Sequence, residues 1–517
     1  MNKLTTLICL ALLSSVSYLG AATADISYPR DAKSEVKDED YKALWFDTSA
    51  PEGRTENDWR ADMTSATETV KGSKAEIAAY YDKEQEKATS KSIESNAAWL
   101  KNAKNVDVGK AVYPGKKVKL GNEVLFENPK YHDALKGKRV GLITNPSGCD
   151  SQFVSTIDKL MADPDIELTA LFAPEHGVRG AERAGDGVKD GIDPVTGVPV
   201  YSLHGKDKNK ISQSKPRPSM LANVDVLMFD IQDTGNRSYT YSNTMRLGMQ
   251  AAYENGKEFW ILDRPNPLGG NLVSGNVADK YYMMSVCWGP VAYIHGLTPG
   301  EIGLLFNDVL DMKTNLKVVP MEGWTRSMKW QDTGLPWVPT STHNQSIDAV
   351  WGMAITGEFG ELHSTNVGVG YPAPFQYVGA PWIDSMRLAQ ELNSRGLEGI
   401  FFKPAYYRPF YHIYKDELCG GVQLIITDYD KIMPVEASLN ILEALNTMYP
   451  EQRIMYAGAG SEVKTQRARV SMFNKVMGGP RVRDMLLEGK SAKEIIADWA
   501  PARDKFAKDR EKYFLYK

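Results

Sequence analysis

Val224-Asp-Val-Leu-Met-Phe229, running straight into Asp230-Ile-Gln-Asp-Thr-Gly-Asn-Arg237, is the stretch whose reading decides the fold. The apolar run is too short for a buried helix and closes on a Gly-containing acidic turn, the pattern of a core strand meeting a loop. A helical stretch follows near residues 242–254. Three other segments repeat the arrangement. Lys138 to Thr144 (KRVGLIT) runs into Asn145-Pro-Ser-Gly148, and Ile166 to Phe172 runs into Ala173-Pro-Glu-His-Gly-Val-Arg-Gly180. Lys257 to Leu262 (KEFWIL) ends at Asp263-Arg-Pro-Asn-Pro-Leu-Gly-Gly270, and a helix near 152–162 separates the first two runs. Strands alternating with helices imply right-handed crossovers and an α/β fold with a mostly parallel sheet covered on both faces.

In such a sheet, ligands bind outside the carboxyl ends of the strands, where the strand order reverses. The four loops then share one edge, and their polar residues form one constellation: Asn145, Glu175, His176, Asp230, Asp233, Arg237, Tyr239, Tyr241, Asp263, Arg264 and Asn266. A carboxyl group in a partly apolar loop suits general acid catalysis near neutral pH. An Arg fork at this edge suits a substrate carboxylate. Each member also has a structural alternative. Glu175 and His176 could pair with Arg179 or cap a helix, Asp230 and Asp233 could satisfy turn amides, Tyr239 and Tyr241 could be the buried start of a helix, and Asp263-Arg264 could be an ion pair.

Outward from this core, Thr298-Pro-Gly-Glu301 opens a helix with a capping box and proline at its first position. Beyond residue 340 come Gly- and aromatic-rich loops (357–382), a helix near 384–395, a strand at 422–427, a helix near 435–448 and charged helices over 481–516. These are read as a second, smaller α+β domain. The expected division is 118–340 for the sheet domain and 341–517 for the second. Residues 25–117 are rich in Lys, Glu, Ser and Ala and poor in branched apolar residues, and are read as an accessory extension with amphipathic helices near 73–87 and 90–104. Lys3, the apolar stretch Leu4 to Leu19 and Ala22-Thr-Ala24 have the layout of a cleaved signal peptide over 1–24, which places the mature chain in the periplasm or outside the cell. No other segment has the roughly 20 apolar residues that a spanning helix needs.

A net charge of −4 in 517 residues gives no electrostatic case for nucleic acid. Past the signal, Cys149, Cys287 and Cys419 are too few for a disulfide framework, although one bridge is possible. There is no Gly-x-Ser-x-Gly elbow, Walker loop, Gly-x-Gly-x-x-Gly fingerprint or His-Glu-x-x-His helix, and no cofactor is expected. A metal held by His176 with Asp230 or Asp233 is the weaker reading, since this spacing alone is poor evidence.

Several segments, in order, resemble the exo-acting β-N-acetylmuramidases. They are GKRVGLITNPSG (137–148), LFAPEHGVRG (171–180), TGVPVYSLHG (196–205), DVLMFDIQDTGNRSYTYSNTM (225–245), LDRPNPLGG (262–270), GLTPGEI (296–302), GAPWID (379–384) and CGGVQL (419–424). The resemblance runs from about residue 118 to the end. It implies a Rossmann-like domain plus a smaller one, with the active site between them. It also implies a substrate derived from peptidoglycan amino sugars, Glu175 beside His176 as acid/base, Asp230 and Asp233 as the second acidic motif, and Arg264 and Asn266 reading the lactyl carboxylate or acetamido group. The family carries a segment like EGTNLSEGRGTTRPFE ahead of GAPWI. Here Glu361 to Gln376 reads ELHSTNVGVGYPAPFQ, which keeps Asn366 but lacks the two arginines. Glu361 and Asn366 are retained as candidate substrate contacts, while the loss of a carboxylate and two guanidinium groups from this loop would alter recognition of an anionic sugar. Two rival functions stay open at this point: a non-catalytic sugar-binding paralogue and a metal-assisted hydrolase of another bond.

Overall fold

Six parallel strands form the backbone of the sheet, in the order that places the chemistry. In the computed structural model these are β1 (Arg139–Thr144) and β2 (Glu167–Ala173), then β4 (Pro199–Ser202), which follows the two-residue β3 (Gly191–Ile192), and β5 (Val226–Asp230) and β6 (Glu258–Leu262). The hairpin strands β7 (Ser274–Val277) and β8 (Ala292–Ile294) intervene before β9 (Asn315–Val319). The sheet runs β3-β4-β2-β1-β5-β6-β9, with only β3 antiparallel. Counting parallel strands alone, this is third, second, first, fourth, fifth, sixth, so the order reverses between β1 and β5. The four strands read from sequence are the four central ones. β4 and β9 escaped notice because they lie towards the sheet's edges and carry partly exposed residues rather than a continuous apolar run.

The structure describes residues 115–517 apart from 183–186, 206–213, 453 and 456–462, together with no side chain for 281 and 463–468. The signal and the extension up to residue 114, with the two helices expected there, lie outside the described residues. All that is described belongs to one unit, residues 93–517.

Helices Thr156–Ala162, Tyr241–Glu254 and Pro299–Val309 cover the sheet. The capping box at the last of these forms as read: Thr298 Oγ1 accepts from the Glu301 amide at 3.3 Å and Glu301 Oε2 accepts from the Thr298 amide at 3.1 Å. Val226, Leu227, Met228 and Phe229 are almost fully buried, as a strand covered on both faces requires.

The second, smaller domain is built on the antiparallel sheet β10-β12-β11, from β10 (Tyr377–Ala380), β11 (Ile400–Tyr407) and β12 (Cys419–Ile426). Helices Ile347–Gly360, Ser385–Ser394 and Pro434–Met448 pack with it around Trp351, Phe359, Leu388, Phe402 and Leu442. The end of the chain then crosses back. Phe506 and Tyr513 join the core of the parallel sheet, and Tyr516 donates to Asp263 Oδ2 at 2.6 Å. Cys149, Cys287 and Cys419 are buried and free, so the possible bridge is not formed.

Glu358, on the helix Ile347–Gly360, is a cost within this core. It is 1% exposed, and neither carboxyl oxygen makes a hydrogen bond of ordinary geometry, although Ser438 is near. Burial pushes its pKa up to about 8. A carboxyl whose folded pKa lies above its unfolded value stabilises most below the unfolded pKa, and that contribution is lost as pH rises through the folded pKa. Stability is therefore expected to fall between about pH 4.5 and pH 8. Glu358→Gln, which fixes the neutral form, should flatten that slope by on the order of 1 kcal/mol or more, read by denaturant titration across the same range.

Candidate active site

Where β1 and β5 part, the register sets Thr144 opposite Asp230. Gly148 crosses so closely above them that a Cβ there would meet Thr144 Oγ1 at 2.0 Å and the Asp230 carbonyl at 2.7 Å. Asp230 is fully buried. Its Oδ1 accepts from Arg264 Nε at 2.5 Å, and its Oδ2 accepts from Thr156 Oγ1 at 2.5 Å and Asn122 Nδ2 at 3.4 Å. Arg264 also donates to the Cys149 carbonyl at 2.9 Å. The ion pair thus joins the ends of β5 and β6 to the loop after β1, and it is Asp230, not the adjacent Asp263, that Arg264 engages.

Asp263 has a separate task. Its Oδ1 accepts from the amides of Arg264 and Gly300, and its Oδ2 accepts from Thr298 Oγ1 and Tyr516. Burial pushes it up to about 7. Asp233, likewise enclosed, takes the Gly235 amide at 2.7 Å and Ser242 Oγ at 2.9 Å, and burial raises it to about 6. Asn266 holds its own turn by accepting from the Leu268 amide and donating to the Leu297 carbonyl. Arg237 is wrapped by the carbonyls of Asn276, Val291 and Val476. Asn145 donates to the Thr340 carbonyl at 2.8 Å and accepts from Ser147. These residues stand at the sheet edge as read, with their polar groups turned inward.

Glu175 differs. It follows β2 at the tip of a turn in which His176 and Gly177 are both left-handed, at φ 70° and 77°. A side-chain-bearing residue holds that conformation only when its surroundings fix it. Here the His176 Nδ1–H donates to the Glu182 carbonyl at 2.9 Å while the Glu182 amide donates to the His176 carbonyl at 3.2 Å. Glu175 is thereby presented with 17% of its side chain exposed. Thr240 Oγ1 donates to its Oε2 at 3.0 Å, and His204 Nε2 lies 3.9 Å from its Oε1. The Tyr241 hydroxyl, shared between the carbonyls of Thr340 and Glu175, pins the turn to the helix Tyr241–Glu254. Tyr239 packs edge-on against Tyr241 at 4.9 Å, and its buried hydroxyl has no hydrogen-bond partner among the described residues. Arg179 is paired with Asp193 instead of Glu175.

The facing wall belongs to the second domain. His343 Nε2 bonds the Tyr411 hydroxyl at 2.8 Å, and burial, then the charges of His176 and His412, hold its pKa down. The rings of His363 and His412 meet at 4.7 Å. Both lie in the field of Arg469, as does Glu361, whose carboxyl burial pushes up. Asn366 ties this wall together by donating to the Val369 and Ile413 carbonyls and accepting from the Gly368 amide. Five of the chain's seven histidines, 176, 204, 343, 363 and 412, thus gather around Glu175 and the opposite wall. Only His176 was singled out from sequence. His204 could have been found, because it closes β4 in a segment already noted, whereas His343, His363, His412 and Arg469 converge only through tertiary folding.

The group of three potential metal ligands among the described residues is His132, Asp163 and Asp165, within 4.8 Å. It precedes β1 and β2, at the other end of the strands, and does not include His176, Asp230 or Asp233.

Residues 140–348 and 353–516 match the amino- and carboxyl-terminal descriptions of the exo-β-N-acetylmuramidase NamZ. Over 402 residues the chain is 42% identical to the peptidoglycan β-N-acetylmuramidase NamZ of Bacillus subtilis (strain 168), covering 77% of this chain and 92% of that protein. The chain belongs to the NamZ exo-β-N-acetylmuramidase family. A crystal structure of a DUF1343 family protein from Bacteroides fragilis is similar with TM-score 0.71 and 40% identity, over 78% of this chain and all of that one. A second DUF1343 protein from the same organism gives TM-score 0.60 at 27% identity, over 77% of this chain and 99% of that one. Family membership and these likenesses agree with the Rossmann-like sheet and the smaller domain beside it.

The two kinds of carboxylate should separate on stability. Asp230→Ala strands a buried guanidinium and should cost about 3–5 kcal/mol in chemical denaturation. Glu175→Gln keeps the Thr240 contact in a partly exposed place and should stay within about 1 kcal/mol of wild type.

Proposed function

We propose that this chain is an exported exo-β-N-acetylmuramidase, releasing N-acetylmuramic acid from the non-reducing ends of peptidoglycan fragments, with Glu175 as general acid/base. The observation that carries this reading is the contrast at the sheet edge. Asp230, Asp233 and Asp263 are enclosed and receive their hydrogen bonds from the protein, while Glu175 is oriented and still partly open to solvent. The relative in Bacillus subtilis supplies the substrate class. Export rests on the signal-like residues 1–24, and among the described residues no helix is long and apolar enough to cross a membrane.

In this mechanism the Glu175 carboxyl donates a proton to the glycosidic oxygen as the bond to the leaving sugar breaks, and a water molecule adds to the anomeric carbon with its proton passing back to the Glu175 carboxylate. The Thr240 hydroxyl fixes one carboxyl oxygen and so aims the other, beside which His204 stands to exchange a proton with water. Substrate polar groups are met by the partly exposed Glu361, while Tyr239 is enclosed and packs against Tyr241. Asn145, Arg237, Asp263, Arg264, Asn266 and Asn366 act through the walls they hold. Acid/base hydrolysis of this kind needs no cofactor.

The test is release of free N-acetylmuramic acid from a disaccharide carrying it at the non-reducing end. Wild type should release it, and Glu175→Gln should lose on the order of 10³-fold in kcat, within the usual range for a general acid. Undiminished turnover by Glu175→Gln would sink the assignment. Asp233→Asn, at a buried group, should alter kcat less than Glu175→Gln does.

A further inference from the structure

We propose that the adjoining rings of Phe410 and Tyr411, in the 408–418 loop, form the subsite for the sugar rings on the leaving side of the bond that is cut. This rests on the muramidase reading above.

Both rings face solvent, Phe410 57% and Tyr411 43% exposed, with centroids 5.4 Å apart. The loop that presents them is firmly built. His412, Tyr414 and Asp416 are left-handed, at φ 72°, 60° and 63°, a conformation that such residues keep only when held from outside. The segment 364–370 does the holding. The Phe410 amide donates to the Gly370 carbonyl at 2.7 Å, Asn366 Nδ2 donates to the Ile413 carbonyl at 3.1 Å, and the Tyr414 hydroxyl donates to the Ser364 carbonyl at 2.9 Å. The approach is so close that a Cβ on Gly370 would meet the Tyr411 carbonyl at 2.0 Å. Arg408 closes the base of the loop by donating to the Asp416 carbonyl at 2.9 Å. Backbone strain maintained to keep two neighbouring aromatic rings in water works against stability, and it points to a ligand that covers them.

A short series of contacts places the pair beside the Glu175 turn. The Tyr241 hydroxyl lies 3.1 Å from the Glu175 carbonyl and 3.0 Å from the Thr340 carbonyl. From Thr340 the chain enters a turn closed by the Asn344 amide on the Ser341 carbonyl at 3.2 Å. Within that turn His343 Nε2 bonds the Tyr411 hydroxyl at 2.8 Å, the two rings lying 6.2 Å apart and inclined by only 23°. Three residues of chain span at most about 11 Å, so Tyr411 stands close to the acid/base turn and Phe410 is the next ring outward. An exo-acting hydrolase holds a single sugar on one side of the cut bond, and the rest of the glycan has to run out towards solvent. Exposure rises along that way out, from 17% at the Glu175 side chain to the values at Tyr411 and Phe410. The chemistry also fits. The C–H face of a sugar ring carries slight positive charge and meets the negative face of an aromatic ring, while the hydroxyls at its rim stay hydrated.

The experiment compares two substrates that share N-acetylmuramic acid at the non-reducing end, a tetrasaccharide and the methyl β-glycoside, whose leaving group offers no ring to stack. Release of free N-acetylmuramic acid is the readout for both. In Phe410→Ala the ratio of kcat/KM for the tetrasaccharide over the methyl glycoside should fall about 10-fold, with most of the change in KM. Phe410→Trp restores an aromatic face and should return the ratio to within about 3-fold of wild type. Tyr411→Phe keeps both rings and loses only the bond to His343, so it should lower the ratio less than Phe410→Ala. An unchanged ratio in Phe410→Ala, whether both substrates are untouched or both lose equally, overturns the subsite while leaving the muramidase reading intact. So does a Phe410→Trp variant of wild-type thermal stability that behaves like Phe410→Ala. If wild type releases no N-acetylmuramic acid from either substrate, the proposed function fails and the subsite fails with it.

Discussion

The Asp230–Arg264 pair is the constraint on which the rest of the site depends. It sits where the strand order reverses, the one place in a parallel sheet where neighbouring loops diverge and leave a crevice. A crevice of that kind is polar, and an ion pair that accepts hydrogen bonds from Thr156 and Asn122 and donates one to the Cys149 carbonyl fills its floor without leaving a charge uncompensated. With the floor rigid, the loops above it can be shaped by smaller interactions. Thr340 alone joins Asn145, Gln232 and Tyr241.

A second principle follows from the floor. Polar residues at the carboxyl edge divide into those that build and those that face outward, and burial separates them. Asp263 organises the start of the helix Pro299–Val309, and Arg326 ties the same helix to the chain's end through Glu301 while stacking on Phe514 at 3.3 Å. Glu175 is raised above this layer by a turn whose strain is concentrated in His176.

The sheet was legible because its central strands are apolar on both faces and therefore read as unbroken runs. That reading also located the edge where Glu175 lies. It did not distinguish Glu175 from Asp230, because a strand-terminal carboxylate looks the same in sequence whether it meets solvent or an arginine from another loop. The pairing of Arg264 with Asp230 rather than with its neighbour Asp263 is decided by which way each side chain leaves β6. The wall of the second domain was illegible for a different reason. Its histidines lie in Gly- and Pro-rich loops without periodicity, and Arg469 is on a helix more than fifty residues beyond them.

The hydroxyl of Tyr516 bonded to Asp263 closes a contact 253 residues long in sequence. Asp263 in turn anchors the helix lying over the sheet, so that helix's seating is completed by a residue 253 positions further along the chain. A chain emerging from its amino end can form the inner strands early, yet their outer layer stays unlatched until the tail arrives.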